Sequence, residues 1–178
     1  MMLDGSLERT ADGGHIVSFE RVIDRPPERI WSTLTEPARL AKWLGDVEVD
    51  LRVGGAFVIR FHQPQRPADP APGETAVMTG QITVLEPPRL IEYTWLEGSG
   101  MPSSLVRWEI VPLESGCRLK LTHRFPPGCA VKDLTSFLGG WHAFLDAIPS
   151  AAEGVFVPYA DETELAAGYR RRYGADNK

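Results

Sequence analysis

The side chains best placed to do chemistry in this sequence are His123 and Tyr93. The stretch Cys117 to Phe125 alternates Leu119, Leu121, His123 and Phe125 with Arg118, Lys120, Thr122 and Arg124, a strand pattern that turns the imidazole inward with the apolar set. Near Tyr93, a partly buried imidazole has three roles open to it: orienting a ligand carbonyl, transferring a proton near neutral pH, or bonding to a neighbour as a structural histidine. The structural role is expected. Catalysis would need a second group within reach of the same substrate atom, and neither a Ser/His/Asp arrangement nor a paired carboxylate stands out. His142 and Asp146 lie four apart on what reads as the polar side of a helix, where a surface contact worth about 0.3 kcal/mol is expected rather than a site.

Other chemistries find little in the chain. His15, His62, His123 and His142 are dispersed, with no HxH or HExxH spacing, and alternation sends His62 and His123 to opposite faces, so no metal site is expected. Gly98-Ser99-Gly100 lacks the strand-to-helix context and the third glycine of a dinucleotide loop, and no GxxxxGK[ST] occurs, so no cofactor is expected. Cys117 and Cys129 have no CxxC spacing; neither a disulfide framework nor a zinc knuckle is indicated, and a reducing cytoplasm is the expected compartment. A net charge of -5 without a basic stripe argues against a nucleic-acid surface. No apolar run approaches the ~20 residues of a membrane span.

The elements that must position these side chains follow from periodicity. Val131, Leu134, Phe137, Leu138, Trp141, Phe144, Leu145 and Ile148 recur in steps of three and four, one stripe of an amphipathic helix with an aromatic face. Met1 to Gly14 is polar and without period and reads as a flexible lead-in. His15 to Ile23 is a strand with Val17, Phe19 and Ile23 inward. Pro27 and Pro37 then open two short helices, to Leu34 and to Leu44. Val47, Val49 and Leu51 alternate in a strand that turns at Gly54-Gly55 into Phe57, Ile59 and Phe61, a hairpin. Gln63 to Gly73 holds four prolines and reads as an exposed loop. Strand pattern resumes from Thr75 to Val84, and then from Leu90 to Leu96, Leu105 to Val111 and Cys117 to Phe125, the last three a meander apolar on one face. Pro149 is expected to kink or end the long helix. A short, mostly polar helix from Asp161 to Tyr173 follows, whose Arg170, Arg171 and Arg172 read either as a site for an anionic partner or, as expected, as a basic last turn complementing the helix dipole.

This order, strand, two short helices, strands, long C-terminal helix, resembles the helix-grip fold of the START and Bet v 1 proteins. Pro26-Pro27-Glu28-Arg29-Ile30-Trp31, Trp43-Leu44-Gly45, Val53-Gly54-Gly55-Ala56-Phe57, Pro87-Pro88-Arg89-Leu90-Ile91-Glu92-Tyr93-Thr94-Trp95, Leu119-Lys120-Leu121-Thr122-His123 and Gly140-Trp141, in that order, resemble the SRPBCC domains related to the C-terminal domain of the Hsp90 ATPase activator Aha1. The resemblance implies an α+β fold, a curved antiparallel sheet wrapped around the long helix, with an apolar cavity between them. Relatives on this fold carry lipids, hormones or pigments, close polyketide rings, or bind protein partners. The expected divisions are a lead-in at 1–14, the domain at 15–154 and an extension with a short helix at 155–178.

The side chains turned inward are Phe57, Ile59 and Phe61 from the hairpin and Met78 and Ile82 from the next strand. The meander adds Tyr93, Trp95, Val106, Trp108, Leu121 and His123, and the long helix Phe137, Trp141 and Leu145. Such a lining encloses an apolar ligand or fills the core; the resemblance weighs toward a cavity. The expected function is non-catalytic binding of a small hydrophobic or aromatic molecule. A chaperone-partner or other protein-interaction module is the first alternative, and a polyketide cyclase or aromatase-like enzyme using the same cavity is the second. Pairing into a homodimer remains open.

Overall fold

A computed structural model describes residues 4–61, 77–97, 102–158 and 161–174. Among the described residues eight strands form one antiparallel sheet: β1 (Ser6–Arg9), β2 (His15–Ile23), β3 (Asp46–Val49), β4 (Ala56–Arg60), β5 (Val77–Glu86), β6 (Leu90–Glu97), β7 (Ser104–Pro112) and β8 (Cys117–Phe125). Their order across the sheet is β1-β2-β8-β7-β6-β5-β4-β3. Between β2 and β3 come the short helices α1 (Pro27–Thr35) and α2 (Pro37–Leu40); after β8 come α3 (Val131–Ala152) and α4 (Glu162–Tyr173). This is the expected α+β helix grip. No helix among the described residues is long and apolar enough to cross a membrane.

Alternation explains which side of the sheet is covered. In β7 and β8 the buried residues fall at every second position, Ser104, Val106, Trp108 and Ile110 against Cys117, Leu119, Leu121, His123 and Phe125. The opposite face is charged: Arg107 bridges Glu92 and Glu109, and Arg118 bridges Glu20. The sheet bends around α3 along β5, where the register with β6 shifts between Ile82 and Val84. At Gly80 a Cβ would lie 2.1 Å from the Thr94 carbonyl oxygen, a closeness only glycine permits.

The structure changes several of these expectations. The lead-in is not loose: Ser6–Arg9 pairs with β2, Ser6 opposite Ser18 with their hydroxyls 2.7 Å apart. An edge strand this short needs one neighbour's backbone rather than an apolar run. The second short helix ends at Leu40 and continues as turns to Leu44, still burying Leu40, Trp43 and Leu44. β3 stops at Val49, and Leu51, expected on its inner row, is 43% exposed. The tight Asp50–Arg52 turn, in which the Arg52 N–H reaches the Asp50 carbonyl at 2.7 Å, takes the chain out of the strand there. Thr75, His62, the loop Gln63 to Gly73 and the glycines at 98 and 100 lie outside the described residues.

Pro149 neither ends α3 nor leaves its last turn unsupported. The helix runs on to Ala152, whose carbonyl accepts from Arg39 Nη1 at 2.9 Å and Arg29 Nη1 at 3.4 Å, while Arg25 bridges Glu153 at 2.5 Å. Three guanidiniums thus complement the negative end of the helix dipole. Gly154, at φ +79, turns the chain away.

The closing helix is more than a polar appendage. Asp161 caps it, accepting from the Thr163 and Glu164 N–H groups at 2.9 and 3.3 Å, and Leu165, Ala166 and Tyr169 are buried. It packs against α3 at Gly139, where a Cβ would come within 2.7 Å of the Ala166 nitrogen and 2.8 Å of the Glu162 carbonyl oxygen. Gly139→Ala should therefore force α4 outward and lower stability by about 1–3 kcal/mol, read as the midpoint of urea unfolding. Gly140→Ala, whose Cβ would meet nothing closer than 4.0 Å, should not destabilise.

Candidate functional site

The inner face of the sheet and the stripe of α3 bring all fourteen side chains expected to turn inward into one layer. Cross-strand register places Ile59 opposite Met78, Tyr93 opposite Val106, Val106 opposite His123, and Trp108 opposite Leu121. Phe57 stacks on Tyr93 at 4.1 Å and 8°. From α3, Trp141 packs against Trp95 at 5.2 Å and Trp108 at 5.5 Å, Phe137 against His123 at 5.1 Å, and Leu145 is buried beside them. Phe61, just past β4, meets Trp95 at 5.9 Å and Phe144 at 6.2 Å.

These side chains fill the layer with one another. A residue beside a water-sized space keeps some accessible surface, and of the fourteen only Phe61 and Phe137 are more than 4% exposed. Both belong to the same end of the grip as Phe125 and Trp95. By connectivity this is the end from which β4 leaves for β5, β6 for β7, and β8 for α3.

At the centre of the aromatic layer is a chain of hydrogen bonds with one direction. The Trp141 indole N–H donates to His123 Nδ1 at 3.0 Å, so that nitrogen must be the acceptor and the proton sits on Nε2. Nε2–H then donates to Ser104 Oγ at 2.7 Å, and Ser104 donates to the Trp95 carbonyl at 3.3 Å. Both ring nitrogens are engaged and the imidazole is fully buried, so it is held neutral, with its pKa well below the ordinary value, by desolvation. His123 is the structural histidine the sequence suggests. Ser104, its partner, is absent from the sequence-derived set, although it begins the same inward row as Val106 and Trp108.

Tyr93 is different. Its hydroxyl accepts from the Trp108 indole at 3.1 Å, and its own hydrogen has no acceptor among the described residues. Burial raises its pKa far above the usual phenol range, so it remains a neutral donor.

Two other histidines, His142 and His15, lie elsewhere. His142, expected on the surface, is buried beneath Tyr169, whose hydroxyl is 2.8 Å from Nδ1. His15 is partly buried at the start of β2. Cys117 and Cys129 are free, and burial raises both thiols' pKa. No group of three His, Cys, Asp or Glu able to hold a metal occurs among the described residues.

A curved antiparallel sheet closed on a long helix by an aromatic layer is a Bet v 1-like helix-grip domain of the SRPBCC superfamily. Residues 24–153 match the family described as Activator of Hsp90 ATPase homolog 1-like protein, and the chain belongs to that family. No curated protein matches it. Among solved structures, it is similar to CalU16 from Micromonospora echinospora, with 22% identity, 97% of this chain and 96% of the other covered, and a TM-score of 0.70. The protein encoded by gene BPP1335 of Bordetella parapertussis is similar at 27% identity, 97% and 91% coverage and a TM-score of 0.68. DynU16, from the dynemicin biosynthetic locus, shares 18% identity over 78% of this chain and 47% of its own, at a TM-score of 0.65.

The hydrogen-bond chain generates a test. Ser104→Ala strands a buried imidazole N–H and should cost about 1–3 kcal/mol in urea unfolding. Imidazole nitrogen NMR should show His123 as the Nε2–H tautomer from pH 8 to pH 5. Because its folded pKa lies below the free value of about 6.5, its effect on stability is absent above that pH and becomes a growing loss as pH falls below it.

Proposed function

We propose that this protein binds a small hydrophobic or aromatic molecule between the sheet and α3 and catalyses no reaction on it. The Tyr93 hydroxyl carries the reading: a fully buried neutral donor, already accepting one bond, whose hydrogen finds no acceptor among the described residues, in an otherwise aromatic layer. A ligand with a single carbonyl or ether oxygen on an apolar frame satisfies it. Entry is from the end marked by Phe61 and Phe137, whose partly exposed rings swing aside, the other described lining residues being buried against one another.

Engagement of His123 supports a binder over a cyclase. A general acid or base must gain and lose a proton near working pH, and this imidazole keeps one tautomer with both nitrogens occupied. We assign the protein to the cytoplasm, in keeping with two free buried thiols.

Native mass spectrometry of the freshly purified protein, with solvent extraction, tests the reading, followed by titration with flavone as a carbonyl-bearing probe. A stoichiometric apolar adduct or saturable quenching of tryptophan fluorescence is expected. Tyr93→Phe should weaken flavone binding about tenfold while leaving binding of a hydrocarbon of similar size unchanged. An apo mass with no saturable response to either probe overturns it.

A further inference from the structure

Where α3 meets α4 and β2, a second buried cluster joins both ends of the described chain. Gly5 donates its N–H to the Tyr169 hydroxyl at 2.9 Å and accepts from the Tyr173 hydroxyl at 3.1 Å. Its Cα fits so closely over Phe19 and Leu138 that a Cβ would lie 2.4 Å and 2.8 Å from their side chains. Tyr169 is also 2.8 Å from His142 Nδ1. Phe19 meets both rings edge-on, at 6.0 Å for His142 and 6.3 Å for Tyr169. The segment before β1, the strand β2 and the helices α3 and α4 therefore meet at one imidazole.

The proton count at Tyr169 decides what the cluster does. Its oxygen accepts from Gly5, and the 2.8 Å contact with Nδ1 spends its hydrogen when that nitrogen is unprotonated and accepts. We propose that His142 is a proton-operated clasp: neutral, it holds the segment at Gly5 and α4 against α3 through Tyr169; protonated, it releases them. With a proton on Nδ1, two N–H groups converge on the Tyr169 oxygen and the tyrosine hydrogen is turned off the ring.

The charged groups around the ring set the direction. Asp4, from the segment before β1, approaches Nδ1 at 3.6 Å, and Asp146, on α3, approaches Nε2 at 3.5 Å; both favour the imidazolium. Arg21, from β2, forms ion pairs with both carboxylates and opposes it. From α4 the titratable neighbours are Tyr169 and Tyr173, and burial raises the Tyr169 pKa to about 12, so it stays neutral. Desolvation outweighs the carboxylates and lowers the His142 pKa. The clasp is thus at full strength above the free imidazole value of about 6.5 and weakens as pH falls below it, because the open state takes up the proton more readily.

Amide hydrogen exchange at pH 7.5 and pH 5, corrected for intrinsic rates, tests this on the intact protein. Protection of peptides covering 4–9 and 162–173 should fall about fivefold at pH 5, while peptides from β7 and β8 keep theirs. His142→Asn supplies an oxygen that accepts the tyrosine hydrogen at any pH and should abolish the change. Tyr169→Phe should show low protection of both segments at both pH values. Unchanged protection in the wild type, an equal fall in β7 and β8, or an undiminished fall in His142→Asn overturns the proposal.

Discussion

The indole N–H of Trp141 reaches a ring nitrogen of His123 at 3.0 Å in the middle of the aromatic layer, and the placement of α3 over the sheet depends on that bond. Helix stripes of Leu and Phe slide and rotate over an apolar surface at little cost, because dispersion has no direction. A buried N–H that loses its partner costs about 1–3 kcal/mol, so each wrong rotation of α3 is penalised. The bond is directional at both ends. It fixes the imidazole tautomer, which aims Nε2–H at Ser104, which in turn ties β7 to the Trp95 carbonyl of β6. One polar thread sets the register of a layer that is otherwise apolar.

What could be seen in the sequence is what one-sided burial writes into it. Val106, Trp108 and Ile110 facing Leu119, Leu121 and His123 announce strands with one wet face, and Phe137, Trp141 and Leu145 announce the helix that covers the other. Their membership of one layer follows from that pattern alone. Periodicity says which way a side chain points, not what lies beyond it. Ser104 is 19 residues from His123, and Tyr169 is 27 from His142. Nothing local to either histidine records these partners. His142 looks exposed because α4 and Gly5, which bury it, come from opposite ends of the chain. β1 is hidden for a related reason: four residues on an edge carry too little pattern to stand out.

α3 therefore has two different surfaces doing two different jobs. Toward the sheet it presents broad aromatic rings that interlock; toward α4 it presents Gly139, small enough for two helix backbones to come into contact. Its far end is held by Arg29 and Arg39 on a terminal carbonyl, which link it to the short helices. Core, back and end are secured by dispersion, close backbone approach and charge respectively.

The sheet remains open, with β1 and β3 at its two edges and four residues in each. An open edge is a template on which another chain can lay its own strand, and growth of that kind leads to aggregates. Here the template is brief on both sides. Asp46 and Glu48 stand on the exposed row of β3, where Arg60 of β4 holds the Glu48 carboxylate at 2.6 Å, so charged side chains border that edge. A protein with an interior this rich in tryptophan and phenylalanine has much to lose from partial opening near its own copies, and two short edges, one bordered by charge, offer such copies little to pair with.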